Sequence, residues 1–535
     1  MCNQPKPESK RYRDLIHEIG NGNIKIPKFQ RDFVWSIEKT AELLDSIIKG
    51  YPIGTFILWK TNERLNDIKN IGNLELPPTP DGNQVQYVLD GQQRITSLYA
   101  AYKGAKIRRE GNRIKTDYEL ISVDLEKDIK NNDEQIIVSE KKNNDQISLK
   151  HLLDIDYNYL RENFNDLHIN KIIQYHGIFN SYDFSTVVLR REDIDSAIEV
   201  FTRINTGGKT LTLFEIMSAK TYDEEQSFDM QSKFQEFLNE LGDANYETIS
   251  SSVILNVLSL ILSENRECNR KTILQLEKQQ IIDTWDDVIS AIRFSVDFFR
   301  SVLKIPVSKL LPYDSLLVPF SCFFYYEKEN PIGDKLRYLR EFFWRISLSH
   351  RYSSATETKL AQDFKRIDKI RSGLRPKYDD IKVFLNSKQD LIDTNFSVSN
   401  SFCKAILCLL ASNEPKDFRT NGTVFLDNSN LKVANSKNYH HFFPKAFLQG
   451  NGVSNWNSIV NITLVGADLN KRLIRARPPS DYIRQFMDAN DGLRSSIKSH
   501  LIENIEEFGI LDDDYSIFLD KRASLIFDAL KSYIE

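Results

Sequence analysis

The chain has 535 residues, of which 41% are hydrophobic and 27% charged, and its formal net charge is −4. That length exceeds one ordinary core and predicts about three or four domains, while the slightly acidic balance excludes a protein that coats a polyanion over its whole surface. The cysteines (Cys2, Cys268, Cys322, Cys403 and Cys408) form no CxxC pair, which points to a reducing cytoplasm, and neither the polar N-terminus nor the short oily run Val253–Leu262 suits a signal peptide or a membrane span.

Residues 1–215 read as mixed α and β. Ser36 is placed to cap a helix from Ile37 to Lys49, with Ile37, Leu43, Leu44, Ile47 and Ile48 as its apolar stripe and Gly50 as its stop. Strands are predicted at Phe56–Trp59, Gln86–Leu89 and Ser185–Arg190, and a helix from just after Asp90-Gly91 through Tyr102. Lys127–Lys150 is rich in Asn, Asp, Gln and Lys and predicts a mobile surface insertion. A helix is expected over Asp193–Ile204, then the turn Asn205-Thr-Gly-Gly208, then a capping box at Thr212-Leu-Phe-Glu215. From 216 to 395 the apolar spacing is helical almost throughout, and the aromatic stripes Phe298, Phe299, Phe342, Phe343 and Trp344 are expected to be core. Residues 396–535 form a third unit, with a helix near Phe402–Leu410 and more helix after Pro478.

Three stretches carry chemistry. The most specific is Asn438-Tyr-His440-His441-Phe-Phe-Pro444, which holds two of only eight histidines. Asn461 and Asn470 follow on an expected strand and helix. This order suits a one-metal phosphodiesterase site, with one imidazole activating water and nearby ligands holding a divalent ion on the scissile phosphate. Between Leu431 and Ser480 the cations Lys432, Lys437, Lys445, Lys471, Arg472, Arg475 and Arg477 face a single acid, Asp468. Such a basic island is what a nucleic-acid backbone requires. Two surface histidines beside loop asparagines and an exposed basic helix would be the plainer arrangement.

The second stretch is Asp90-Gly91-Gln92-Gln93-Arg94, between a strand and a helix. Gly91 lets backbone approach a ligand, the helix start offers amides and partial positive charge to phosphate, and Arg94 has a bidentate fork. Asp90 could act on a water or a metal. An Asp-Gly turn with an ordinary helix cap is the structural alternative. The third is Ile26–Trp35, where Gln30, Arg31 and Trp35 mix amide, cation and aromatic groups suited to bases and phosphates; a sheet-edge segment packed on the first helix is its alternative. The basic run from Lys103 to Lys115 reads as a solvated loop or a nucleic-acid track.

Tyr-His-His-Phe-Phe-Pro-Lys445, then Asn461-Ile-Thr-Leu, then Leu-Asn470 resembles the HNH (His-Me finger) nuclease domain of GmrSD-type restriction proteins. That resemblance implies a ββα-metal fold with His441 as general base, Asn461 as loop-positioning residue, and Asn470 and His440 as metal ligands. His440 stands where relatives usually carry Asp or Glu. Ile26–Trp35, Asp90–Arg94 and Phe201-Thr-Arg-Ile-Asn205-Thr-Gly-Gly208-Lys-Thr-Leu211 together resemble the ParB/sulfiredoxin-like domain at the N-terminus of the same proteins.

The expected whole is a helix-rich α+β protein. It has a ParB/sulfiredoxin-like nucleotide-binding and sensing domain over 1–215, a helical connecting domain over 216–395 and an HNH nuclease domain over 396–535. The expected function is a metal-dependent DNA endonuclease of a prokaryotic anti-phage restriction system, sensing modified phage DNA and gated by nucleotide binding or hydrolysis. Expected cofactors are Mg²⁺ or Mn²⁺ and a nucleoside triphosphate, GTP or ATP. Asp90, Gly91, Gln92, Gln93 and Arg94 are assigned to nucleotide, with Asp90 also catalytic. Gln30, Arg31, Trp35, Lys445, Lys471 and Arg472 are assigned to DNA. A cytoplasmic location, no membrane partner and an open oligomeric state, a homo-oligomer included, complete the reading. The rivals are a DNA- and nucleotide-binding regulator whose C-terminal domain does not cleave, and an RNA-cleaving toxin.

Overall fold

The structure is a computed structural model that describes residues 6–27, 33–62, 68–69, 74–108, 115–129, 134–140, 144–190, 197, 200, 212–223, 225–429, 431, 439–466, 469, 474 and 476–535. Its contacts divide the chain into two units, Met1–Asp229 and Met230–Glu535. The class is helix-rich α+β.

In the first unit a six-stranded sheet runs in the order β1-β11-β3-β5-β2-β4. The strands are β1 (Lys6–Arg11), β2 (Ile24–Pro27), β3 (Phe56–Thr61), β4 (Ile68–Lys69), β5 (Val85–Asp90) and β11 (Asp183–Leu189). Helices α1 (Tyr12–Gly20), α2 (Ile37–Ile48) and α3 (Gln92–Lys103) contribute their apolar faces to one core with the sheet. Ser36 caps α2 by accepting from the Lys39 amide, as its sequence predicts. Thr212 and Glu215 form the expected capping box.

The polar stretch 127–150 departs from its expectation. Among its described residues it forms β9 (Ile137–Val138) and β10 (Gln146–Ser148), which flank β8 (Ser122–Asp124) in an antiparallel sheet. Ile136, Ile137, Ile147 and Leu149 are fully buried. The cause is Asp45 on α2, whose Oδ1 accepts from the Ile136 and Ile137 amides at 2.6 and 3.0 Å. Four apolar residues, spaced so that they share the core, outweigh a polar composition. Two further strands, β6 (Lys106–Arg108) and β7 (Lys115–Asp117), pair in the basic run. Helices α4 (Leu149–Leu153), α5 (Tyr157–Asn163) and α6 (Asp166–Ser181) follow.

The second unit is almost wholly helical among its described residues, from Met230–Asp243 to Tyr515–Ile534. Phe298, Phe299, Phe342 and Phe343 are fully buried and Trp344 is 2% exposed, so the aromatic stripes are core. Burial of each such side chain contributes roughly 1.5–3 kcal/mol. The only named strands described here are β12 (Tyr439–His441) and β13 (Ile462–Leu464), a short antiparallel ribbon. Phe518 of the last helix stacks on Phe442 at 4.9 Å between centroids, seating the ribbon on that helix.

Candidate active site

The ribbon pairs Tyr439 with Leu464, His440 with Thr463 and His441 with Ile462. Successive strand residues face opposite sides. His440 is therefore turned inward, 2% exposed, with its ring 6.4 Å from that of Tyr482. His441 faces the other way, half-buried between Trp456 and Phe396.

The His441 ring is held by Asn457. Its Nε2 lies 3.0 Å from Asn457 Oδ1, while Asn457 Nδ2 donates to Phe396 O at 3.1 Å. The second bond fixes which end of the amide faces the histidine. Nε2 must then carry the proton and donate it to Oδ1, which leaves the lone pair on Nδ1. Burial holds the His441 pKa below its usual value, and the Lys445 charge acts in the same direction, against the Asn457 bond. The ring is neutral at neutral pH, with an acceptor nitrogen in a fixed tautomer. That is the state a general base needs.

Asn461 builds the turn that follows His441. It is fully buried. Its Oδ1 accepts from the Phe443 amide at 2.9 Å, and its Nδ2 donates to Phe443 O and Trp456 O, each at 3.0 Å. The Phe442 amide donates to Asn461 O at 2.8 Å. One amide thus ties both flanks of the Asn457 segment to the His441 turn. Beneath it, fully buried Arg522 donates to Val460 O and to His500 O. Burial pushes the Arg522 pKa down to about 9. Tyr482 Oη donates to Phe442 O.

Lys445, exposed, places its ammonium 4.1 Å from the Trp456 ring centroid, on the His441 side of the ribbon. Asn470, Lys471 and Arg472 lie outside the described residues, as do Lys432, Lys437, Asp468 and Arg475. Asn457 and Trp456 were not singled out from sequence. Their one sequence signal is the amide-rich run Asn455-Trp-Asn457-Ser just before Asn461.

In the first unit the sheet itself explains why two motifs meet. Strands β2 and β5 are parallel neighbours, so the segment leaving β2 and the turn leaving β5 emerge at one edge. Gln93 joins them: its Oε1 accepts from the Val34 amide at 2.9 Å and the Trp35 amide at 3.4 Å. Trp35 is half-buried, with Lys39 over its ring at 4.8 Å. Gln30 and Arg31 lie outside the described residues, and so does Phe201–Leu211.

Gly91 caps α3 at φ +94°, and a Cβ there would fall 2.4 Å from Phe56 Cδ1. Glycine is required on both counts. Arg94 turns back onto the protein. Its Nη1 donates to Ile53 O at 2.7 Å, and its Nη2 donates to Thr55 O at 3.0 Å and pairs with Asp90 at 3.1 Å. Its guanidinium also lies over Phe56. Gly54, at φ +88°, lets the Ile53–Thr55 segment close on Arg94: a Cβ there would meet Nη1 at 2.4 Å. Arg94 therefore shapes the Asp90 turn, and the Tyr51-Pro-Ile-Gly54-Thr55 segment is a part of this site that sequence reading passed over. Burial lowers the Arg94 pKa, against the opposing effect of Asp90.

No described helix is long and apolar enough to cross a membrane. An uncharacterised protein of Methanocaldococcus jannaschii is 23% identical to this chain, over 98% of this chain and 99% of its own length. Residues 12–222 match the family model of the GmrSD restriction endonuclease N-terminal domain. The unit that carries Asp90–Arg94 is thus similar to a domain of restriction endonucleases.

Proposed function

We propose that this chain is a DNA endonuclease of a restriction system, with His441 as its general base. The observation that carries the reading is the fixed, neutral His441 ring. Asn457 orients it, Asn461 braces its turn, and Lys445 adds a cation for a phosphate beside it. The match of residues 12–222 supports the restriction context and DNA as partner. In this reading Nδ1 of His441 accepts the proton of the attacking water. Lys445, with Lys471 and Arg472, offsets phosphate charge. Asn457 holds the tautomer through the cycle.

A divalent ion, Mg²⁺ or Mn²⁺, would supply stabilisation of the charge that develops on the phosphate. Asn470 is its proposed ligand. His440, packed inward against Tyr482 on the opposite ribbon face, fits a ligand role poorly. Modified DNA as the preferred substrate, and a nucleoside triphosphate such as GTP or ATP at Asp90–Arg94 as the gate, belong to the same proposal. The first turn of α3 offers amides and a positive dipole end to phosphates. Trp35, tethered to Gln93, stands at the same sheet edge.

The test is nicking of modified and unmodified plasmid, and of RNA, with and without nucleotide and Mg²⁺ or Mn²⁺. His441→Ala should lower DNA cleavage by ~10²–10⁴-fold with DNA binding retained. Cleavage of RNA alone would favour the toxin. DNA binding without cleavage under every condition would favour a regulator.

A further inference from the structure

Glu126, Asp145 and His168 of the first unit each offer a ligand atom, and these atoms all lie within 4.8 Å of one another. No motif of the sequence reading includes them. They come from three separate segments. Glu126 follows β8, Asp145 precedes β10, and His168 stands in the first turn of α6. His168 is only 9% exposed, and its Nε2 lies 2.8 Å from Glu126 Oε1.

The frame around them is built by contacts that do not use their side-chain ligand atoms. The Leu125 amide donates to Asp145 O at 3.0 Å, tying the two acid-bearing segments together. The Glu126 amide donates to Asp124 Oδ1 at 3.1 Å, and the His168 amide to Asn165 Oδ1 at 2.8 Å. Lys171, one turn further along α6, donates to Leu125 O at 2.6 Å and Lys127 O at 3.2 Å. The three side chains are thus brought to one point by a backbone arrangement that stands without them. A His–Glu hydrogen bond accounts for the 2.8 Å approach of two of them. The Asp145 carboxylate reaches the same point from a third segment.

We propose that Glu126, Asp145 and His168 bind one divalent transition-metal ion, Zn²⁺ or Mn²⁺, which clips α6 to the β10-β8-β9 sheet. An imidazole nitrogen with two carboxylate oxygens is a borderline-to-hard donor set, which suits these ions. The two carboxylates balance the charge of the ion. Metal–ligand bonds of about 2.0–2.2 Å place ligand atoms roughly 3–4.4 Å apart, and the three ligand atoms here all lie within 4.8 Å of one another. His168 would bind the ion through the Nε2 lone pair, with its proton on Nδ1 and any second proton released to solvent, so that its hydrogen bond to Glu126 gives way to a shared ion. This site serves stability and is independent of the nuclease reading.

The experiment uses the full chain carrying His441→Ala and Asn470→Ala, which disables the proposed C-terminal metal site. The protein is stripped with chelator and titrated with Zn²⁺, then separately with Mn²⁺, by calorimetry, with the thermal midpoint read in parallel. One equivalent should bind and raise the midpoint. His168→Ala and Asp145→Asn should each weaken binding by at least about tenfold, since losing even an outer partner of a metal ligand costs about 10–100-fold. Asp145→Asn preserves shape and carries the test if His168→Ala fails to fold. Absence of binding by the parent for both ions, or affinities in the variants equal to the parent, would overturn the site.

Discussion

Replacing Asn457 separates a positioned base from a merely nearby histidine. Asn457→Ala removes the acceptor from His441 Nε2 and the donor to Phe396 O, bonds of 3.0 and 3.1 Å in a half-buried setting. A polar group left without its partner there costs about 1–3 kcal/mol. If that energy is expressed in the transition state, cleavage slows by roughly 5–150-fold. That is less than the ~10²–10⁴-fold expected for removing the base itself. Asn457→Asp goes further, because it places a carboxylate on Nε2 and stabilises imidazolium. Wild-type His441, with its pKa held below the usual value by burial, keeps its base form to below pH 6.5. The acid limb of the rate profile should therefore lie below 6.5 in wild type and move to higher pH in Asn457→Asp. The assay is single-turnover nicking of plasmid from pH 5 to 8 at fixed metal. An unmoved acid limb in Asn457→Asp, with Asn457→Ala cleaving at the wild-type rate, would refute the assigned tautomer.

Asn461→Ala deletes three side-chain hydrogen bonds from a fully buried position, and at about 0.5–1.5 kcal/mol each should cost roughly 1.5–4.5 kcal/mol in urea unfolding of the second unit; a wild-type midpoint would contradict the bracing role. Gly91→Ala forces a side chain into φ +94° with its Cβ 2.4 Å from Phe56, so it should lower thermal stability by about 1–3 kcal/mol and abolish GTP or ATP binding, while Gly177→Ala, on α6, which meets nothing within 4 Å and needs no left-handed backbone, should spare nucleotide binding. Fully buried His500 has its pKa pushed down to about 3 by desolvation. The unfolded chain then takes up its proton first, so the contribution is complete above about pH 6.5 and is lost as pH falls towards 3, on the order of 5 kcal/mol in all. Urea unfolding against pH should show this slope in wild type and a flatter one in His500→Gln; parallel curves would exclude His500 as its source.

The elements that sequence made legible are those whose signals are local. Ser36 before an amphipathic run, and Thr212 with Glu215 three residues on, each specify a helix start within a few residues, and both caps form. The helical spacing expected over 216–395 survives, for one, in the helix Lys278–Ser301, with Trp285, Phe298 and Phe299 inside. Composition misled at 127–150 because the deciding partner, Asp45, lies about ninety residues away on another element. A polar run reads as loop until something distant accepts its amides.

The same limit separates the two halves of each candidate site. The sequence shows His441 and, twenty residues on, Asn461, and the resemblance implies that this Asn positions the loop. It does not show that Asn457 aims its oxygen at the ring, because that direction is set by Phe396 O, a main-chain atom with no side-chain signature. Arg94 is the mirror case. Its place at a helix start, beside Gly91, suggests a free fork for phosphate, yet most of its polar reach goes to Ile53 O, Thr55 O and Asp90. A residue type fixes how many donors are available, but only the fold decides where they are directed. Nucleotide affinity at this turn should accordingly rest on the shape that Arg94 imposes and on the amides at the start of α3. Arg94→Lys keeps the charge but loses the planar fork that reaches two carbonyls and a carboxylate at once. Calorimetry should then show it to be nearly as damaging to nucleotide binding as Arg94→Ala; full binding by Arg94→Lys would mean that charge alone matters and that Arg94 grips phosphate directly.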